Sequence, residues 1–248
     1  MWGLGDYAAV AERISDAGEL IVERAGIEPG MDVLDVACGT GNATIPAARA
    51  GARVTGLDLA PALLDIARER CADAMVEIDF VEGDAQALPF GDASFDRVVS
   101  VFGHMFAPDH RRTADEMKRV LRPGGAIAVA CWAPDGIIGR MVGVTADLIP
   151  PPPDAQPPLL WGTEDHVREL LGDGEFDRRE IVWTDESVES YAQFMLGSFG
   201  PLLNAREVLA QRAGELDEAY RAFLDEVNEA DDGTLRFRGE YLLAVIRP

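Results

Sequence analysis

The chain has 248 residues, of which 48% are hydrophobic and 27% charged, a composition typical of a soluble globular protein with a sizeable core. Its 22 basic and 44 acidic residues give a net charge of −22, which repels a phosphate backbone and an anionic membrane. We therefore expect no nucleic-acid partner and no membrane partner. The three cysteines form no C-x-x-C pair, and the sequence shows neither a signal peptide nor a long apolar run, so we expect a cytoplasmic protein without a metal site.

The chain begins with two aromatic residues, Trp2 and Tyr7, in a glycine-flanked segment. This segment either folds over a ligand or attaches the terminus to the core. Apolar residues then recur at helical spacing along one face, which predicts a helix over residues 6–24 that packs on the core.

An apolar strand at residues 33–36 runs into a turn that contains Gly39 and Gly41. Glycine has no Cβ and tolerates positive φ, so the backbone there turns sharply and approaches a ligand closely. Asp35 adds a hydrogen-bond acceptor near the carboxyl end of the strand, the edge at which open α/β sheets bind ligands. For Ala37 we expect an ordinary negative φ. The segment predicts a loop that holds a nucleotide-like ligand.

Two other kinds of glycine loop fit this segment less well. A dinucleotide-binding loop requires Gly or Ala at the position of Thr44, and a Walker-type phosphate loop requires a lysine that the segment lacks. A nicotinamide-dependent oxidoreductase therefore remains only an alternative.

The next segments alternate β-branched runs with amphipathic helical stretches. A second strand at residues 53–58 ends in Asp58, where an acid accepts hydrogen bonds from ribose hydroxyls, and a third strand at residues 78–82 leads to Gly83-Asp84-Ala85. Further strands are predicted at residues 95–100 and 126–132, with a helix over 109–121 between them. This alternation is typical of a parallel sheet with right-handed crossovers.

Together these segments resemble the class I S-adenosylmethionine-dependent methyltransferases, in particular the quinone-biosynthesis C-methyltransferases and related small-molecule methyltransferases. The resemblance covers residues 30–132 and includes Leu88-Pro89-Phe90 and Leu121-Arg122-Pro123-Gly124-Gly125. It implies an α/β fold: a mostly parallel, Rossmann-like, seven-stranded sheet flanked by helices, with a helical cap inserted late in the chain. Ala37 departs from the family pattern, which has glycine at that position.

The resemblance also implies S-adenosylmethionine as methyl donor and S-adenosylhomocysteine as product. It assigns Asp35 to the amino acid part of the cofactor, Asp58 to the ribose, and Asp84 with the Ala85 amide to the adenine. The residues predicted to bind the cofactor are Asp35, Ala37, Gly39, Gly41, Asp58, Leu59, Asp84, Ala85 and Ser100.

After Trp132 the pattern predicts helices over residues 136–149, 163–171, 187–198 and 201–229, strands over 179–184 and 235–246, and a stiff extended turn at 150–153. We assign residues 1–135, 178–186 and 234–248 to the cofactor-binding core. Residues 136–177 and 187–233 are assigned to a helical cap that shapes the substrate site.

Methyl transfer depends mostly on positioning, and a base is needed only if the acceptor must lose a proton. His104 follows the fourth predicted strand, at the edge where the family places substrate, and an imidazole titrates in a suitable range. We predict His104 as the catalytic residue, with a pocket-lining role as the alternative. His110 and His166 are predicted to be solvent-exposed, because both begin polar helices.

Aromatic side chains near the predicted mouth favour a small, apolar or aromatic methyl acceptor, at carbon, oxygen or nitrogen. The predicted substrate contacts are Tyr7, Phe102, Met105 and Trp132. A protein that binds S-adenosylmethionine without transferring its methyl group is the second alternative. We expect a monomer or a homodimer.

Overall fold

The computed structural model describes residues 2–152 and 155–248, and a seven-stranded sheet organises them, with strand order β3-β2-β1-β4-β5-β7-β6. Strands β1 to β5 run parallel, whereas β7 pairs antiparallel with both β5 and β6. The strands are β1 (Asp32–Val36), β2 (Arg53–Asp58), β3 (Asp79–Glu82), β4 (Phe95–Val101), β5 (Leu121–Trp132), β6 (Gly174–Asp185) and β7 (Leu235–Ile246). The predicted mostly parallel, Rossmann-like α/β fold is confirmed.

Helices flank the sheet, so the central strands are buried and read as continuous apolar runs. The helices are α1 (Tyr7–Glu12), α2 (Ser15–Arg24), α3 (Thr44–Arg49), α4 (Pro61–Ala74), α5 (His110–Val120), α6 (Ile137–Leu148), α7 (Glu164–Leu171), α8 (Val188–Ser198), α9 (Gly200–Leu209) and α10 (Ala213–Val227). Helix α7 packs on α5, while α10 packs on α6 and α8. The division into core and cap stays a prediction. Within the described residues, no helix has the length and apolarity needed to cross a membrane.

Two predicted helices are each broken in the structure. The helix predicted over residues 6–24 divides before Ser15, whose hydroxyl donates to the Glu12 carbonyl (2.8 Å), a side-chain contact that competes with helical hydrogen bonding. The helix predicted over residues 201–229 divides at Ala210, which has a positive φ of 50°. This break allows α9 and α10 to pack against each other.

Strand β6 begins five residues earlier than the predicted start at Arg179 and extends through Asp185. Its first residues are mostly polar and show little apolar alternation, but they pair with residues 242–246 at the end of β7. Pairing with a neighbour, rather than local pattern, therefore sets the start of β6. The predicted turn at residues 150–153 includes Pro153, which lies outside the described residues.

The sheet order puts a topological switch point between β1 and β4. Strand β1 pairs with β2 on one side and with β4 on the other, so the chain crosses over in opposite directions from this point. A crevice opens where the crossovers diverge, at the carboxyl ends of these strands.

Candidate active site

A cavity of about 300 Å³ lies at the carboxyl ends of β1, β2 and β4. The structure brings ten of the fourteen predicted site residues to its wall: Tyr7, Asp35, Ala37, Gly39, Asp58, Leu59, Asp84, Ala85, Phe102 and His104. Four others, Gly41, Ser100, Met105 and Trp132, are not among the described residues that line it.

The glycine loop after β1 adopts left-handed backbone conformations at three positions. Gly39 has φ 55° and Gly41 φ 92°, and Ala37 also has a positive φ, 55°. The expectation of a negative φ for Ala37 is therefore wrong. The loop changes direction directly after β1, and the Cys38 amide then donates to the Leu57 carbonyl of β2 (2.9 Å). Ala37 takes the left-handed conformation because this change of direction requires it. Gly103 accommodates it, because a Cβ at Gly103 would collide with Ala37.

Asp58 joins the end of β2 to the glycine loop. Its carboxylate accepts hydrogen bonds from the amides of Gly39 (2.8 Å) and Ala60 (2.9 Å). Burial raises the pKa of Asp58, and the hydrogen bonds from backbone amides partly oppose that rise. A carboxylate has about four acceptor positions, so Asp58 keeps acceptor capacity for the hydroxyls of a ligand in the cavity.

Asp35 is the more deeply buried acid, with 1% of its surface exposed. Thr44 donates its hydroxyl to Asp35 Oδ2 (2.6 Å). Burial raises the pKa of Asp35 to about 7, with a further contribution from the charge of Asp58, against the lowering effect of the Thr44 hydrogen bond. A cationic group in the cavity would favour the ionised form of Asp35.

Asp84 is oriented by Gln86, which sequence reasoning missed. The Gln86 side-chain amide lies 3.1 and 3.0 Å from the two Asp84 carboxylate oxygens, and its backbone amide donates to Oδ1 (2.8 Å). Gln86 Oε1 in turn accepts from the Asp109 amide (3.0 Å), and Gln86 itself lines the cavity. Its position two residues after Asp84 was the available sequence signal, because an acid commonly hydrogen-bonds the backbone two residues on.

Aromatic rings from distant segments cover the mouth of the cavity. Trp2 lies 4.5 Å from Phe106 and 5.8 Å from Tyr7, and Tyr7 stacks on Phe199 at 6.3 Å, measured between ring centroids. Burial and the charge of Asp58 raise the pKa of Tyr7 to about 12, so its hydroxyl stays protonated. No local sequence pattern indicated Phe199, because only the tertiary fold brings it next to the N-terminal segment.

His104 lies on the cavity wall but is fully buried. Its Nε2 is 3.4 Å from Cys131 Sγ, its ring meets Trp161 edge-on at 4.5 Å, and Nδ1 has no hydrogen-bond partner among the described residues. Burial, with a contribution from His110, lowers the pKa of His104 to about 3. The imidazole is therefore neutral at physiological pH and only weakly basic.

The prediction that His110 is solvent-exposed is wrong. The 3₁₀ turn at Pro158–Gly162 carries Trp161 onto His110, which is buried and shares a 2.9 Å hydrogen bond with His166. Burial is the main cause that lowers the pKa of His110 to about 4. His166 is half-buried rather than exposed.

The remaining predicted residues lie behind the wall. Ser100 donates to the Val36 carbonyl (2.6 Å) and accepts from the His104 amide (3.2 Å), so it ties β4 to β1. Trp132 stacks on the outer face of Phe102 at 3.8 Å, and Met105 is completely buried. Within the described residues, no group of three or more acidic, histidine or cysteine side chains is arranged to hold a metal ion.

Comparison with known proteins agrees with this geometry. The model of the family described as methyltransferase domain matches residues 33–125. An uncharacterized protein of Mycobacterium tuberculosis is 39% identical over 98% of this chain and 91% of its own. The demethylmenaquinone methyltransferase of Renibacterium salmoninarum is 44% identical over 45% of each chain.

A solved structure shares the fold at low sequence identity. The putative methyltransferase from Bacillus halodurans superimposes with a TM-score of 0.59 over 92% of this chain and 96% of its own, at 20% identity. The family match covers the glycine loop and the strand ends that form the cavity, and the fold extends over nearly the whole chain. Residues 33–125 therefore form a methyltransferase domain, and the chain as a whole has the fold of the class I S-adenosylmethionine-dependent methyltransferases.

Proposed function

We propose that this protein transfers a methyl group from S-adenosylmethionine to a small, uncharged, apolar or aromatic molecule. The observation that carries the proposal is the composition of the cavity wall. Three carboxylates, Asp35, Asp58 and Asp84, stand at the strand ends, aromatic rings cover the mouth, and no Lys or Arg belongs to the wall within the described part of the chain.

The acidic side of the wall suits the cofactor. Asp58 has acceptor positions left for both ribose hydroxyls, and Asp84 is held by Gln86 for the adenine amine, with the Ala85 amide beside it. Asp35 suits the ammonium group of the cofactor's amino acid part. Gly39 leaves space between the loop and the ring of Tyr7, since a Cβ there would lie 3.9 Å from Tyr7 Cε1. Bound S-adenosylmethionine supplies a methyl group on a positively charged sulfur that leaves as a neutral thioether.

The aromatic side of the wall suits the acceptor. Trp2, Tyr7 and Phe106 give it an apolar surface, and aromatic side chains contact flat apolar ligands well. An anionic acceptor would meet carboxylates and no lysine or arginine on the described wall. The partial match to a demethylmenaquinone methyltransferase agrees with an apolar acceptor.

We also propose that the late helices form a cap over this site, because Phe199, which precedes α9, contacts both Trp2 and Tyr7. The closure of the mouth then depends on the N-terminal segment and on the segment that precedes α9. Positioning of the acceptor by these rings supplies most of the rate enhancement, since holding two reactants in near-attack geometry is worth about 7–11 kcal/mol.

Two measurements test the proposal. Mass spectrometry of the purified protein should detect bound S-adenosylmethionine or S-adenosylhomocysteine, and calorimetry should show binding that Asp58→Ala weakens. Asp65→Ala, an exposed position on α4, is the matched control. A panel of quinones, phenols, amines and aromatic carboxylates should then show turnover with uncharged acceptors. Turnover confined to the carboxylates would contradict the proposed acceptor, and cofactor binding without turnover on any acceptor would favour a non-transferring protein.

A further inference from the structure

The glycine loop is also held from its far side, away from the cavity. Nη1 of Arg70 in α4 has two N–H groups and lies within hydrogen-bond distance of three loop oxygens, so one N–H is shared between two of them: the Thr40 carbonyl (2.7 Å), the Thr40 hydroxyl (2.8 Å) and Asn42 Oδ1 (3.0 Å). Thr40 and Asn42 line the cavity, but Arg70 does not appear on its described wall. Arg70 therefore acts on residues that can touch the cofactor without reaching the cofactor itself.

Asn42 extends this contact to the N-terminal helix. Its Nδ2 donates to the Ala11 carbonyl of α1 (2.7 Å) while its Oδ1 accepts from Arg70. Helix α1 carries Tyr7 and Ala11, which both line the cavity. A continuous chain of hydrogen bonds thus runs from α4 through the glycine loop to the helix that closes the mouth.

Helix α2 packs directly against the back of the glycine loop. Gly18 of α2 lies against the Asn42 backbone so closely that a Cβ at Gly18 would collide with the Asn42 carbonyl. On the cavity side the Gly39 amide binds Asp58, and on the opposite side Asn42 packs against α2. Arg70 holds Thr40, which lies between these two contacts.

The charge of Arg70 is directed at the glycine loop, and Arg70 forms no ion pair with a carboxylate of the described residues. Burial lowers the pKa of its guanidinium from the ordinary range, and the nearby charge of Glu12 opposes that shift. A guanidinium stays charged in proteins, so Arg70 is a cationic donor. Hydrogen bonds from a charged donor are stronger than neutral ones, and all of those recorded for Arg70 go to neutral oxygens of the loop.

We propose that Arg70 and Asn42 are positioning residues that hold the glycine loop and α1 in the cofactor-binding arrangement. Their contribution appears in cofactor affinity and not in the methyl-transfer step, because neither presents a group that accepts or donates the methyl or a proton. The proposal rests on the proposed function only in taking S-adenosylmethionine as the ligand of the cavity.

Three variants test it by calorimetry with S-adenosylhomocysteine. Arg70→Met should raise the Kd at least about tenfold, as expected for the loss of hydrogen bonds from a charged donor. Arg70→Lys should recover most of the affinity, because its ammonium nitrogen keeps the positive charge and offers three N–H donors to the three loop oxygens that Nη1 of Arg70 contacts. Arg49→Met is the matched control. Arg49 and Arg70 line one cleft on the outer side of the loop, but the Arg49 side chain forms no hydrogen bond or ion pair with another described residue.

Two further readouts separate positioning from a general loss of structure. The KM for S-adenosylmethionine should rise in parallel with the Kd, while kcat stays within about twofold. A cleft of about 350 Å³ lies beside Arg70 on the outer side of the loop, so guanidinium ion should restore affinity to Arg70→Ala, and potassium chloride at equal ionic strength should not. If Arg70→Met fails to fold, Asn42→Ala and the rescue experiment replace it.

The outcomes distinguish this proposal from the proposed function. A wild-type protein that binds no S-adenosylhomocysteine would overturn the proposed function. A wild-type protein that binds it, with Arg70→Met binding equally well or with kcat falling as steeply as affinity, would overturn only the positioning role. A loss in Arg49→Met as large as in Arg70→Met would also overturn it.

Discussion

The buried acid Asp35 should make the ligand-free protein less stable at neutral pH than its uncharged variant. Asp35 is 1% exposed, and burial raises its pKa from the ordinary value of 3.8 to about 7. Because the folded-state pKa lies above the unfolded-state value, the folded protein binds the extra proton between these two pH values. Its contribution to stability is therefore greatest below about pH 4 and is lost as the pH rises to 7.

The size of the effect follows from the shift. One pKa unit corresponds to about 1.36 kcal/mol, so the raised pKa of Asp35 costs about 4 kcal/mol of stability at pH 8, where Asp35 is ionised, and about 1.5 kcal/mol at pH 5, where folding must bind a proton that the unfolded chain has lost. Asn has nearly the same shape and keeps an oxygen for the Thr44 hydroxyl, but it carries no charge. The stability of Asp35→Asn minus that of wild type should thus increase by about 2.5 kcal/mol as the pH rises from 5 to 8.

Urea unfolding of ligand-free wild type and Asp35→Asn at pH 5, 6, 7 and 8 measures this gain. His104 and His110, whose lowered pKa values destabilise the fold in acid, are common to both proteins and cancel in the difference. Asp96→Asn is the control: the Asp32 amide and Arg122 lower the pKa of Asp96, so its variant should be destabilised equally across this range. A stability difference for Asp35→Asn that does not change with pH would refute the reasoning.

Three further predictions concern the same site. Asp58→Ala should weaken S-adenosylhomocysteine binding about 10- to 100-fold in calorimetry, because hydrogen bonds to a charged group are worth about 1.5–3 kcal/mol; an unchanged affinity would remove Asp58 from the site. His104→Gln should lower kcat less than about tenfold, because a buried imidazole with a pKa of about 3 is a poor base. If kcat falls about 100-fold and the acidic limb of the pH profile of kcat/KM disappears, His104 is instead a general base. Ala37→Gly should raise the thermal midpoint slightly, because relief of about 1–2 kcal/mol of left-handed strain exceeds the roughly 0.4–1 kcal/mol of extra unfolded-state entropy; a lower midpoint would contradict this balance.

Local pattern predicted the parallel part of the sheet and the strand-end positions of the acidic residues that line the cavity. Strands that alternate with amphipathic helices predict a parallel sheet, and the sheet order then brings the ends of β1 and β2 together. Asp35, Gly39 and Asp58 reach one cavity because each lies within three residues of the carboxyl end of β1 or β2. Their position along the strand, which the sequence contains, determines their position in space.

Tertiary packing decided what the local pattern could not. His110 begins a polar helix, yet Trp161 from a distant turn buries it, and the same ring packs against His104. Phe199 joins the mouth through contacts that cross most of the chain. Ala37 takes a left-handed conformation because the path of the loop past Gly103 demands it, against its own preference. Hydrophobic periodicity and turn residues act over a few positions and were therefore readable in the sequence, whereas burial, pKa shifts and the closure of the cavity depend on neighbours that only the folded chain supplies.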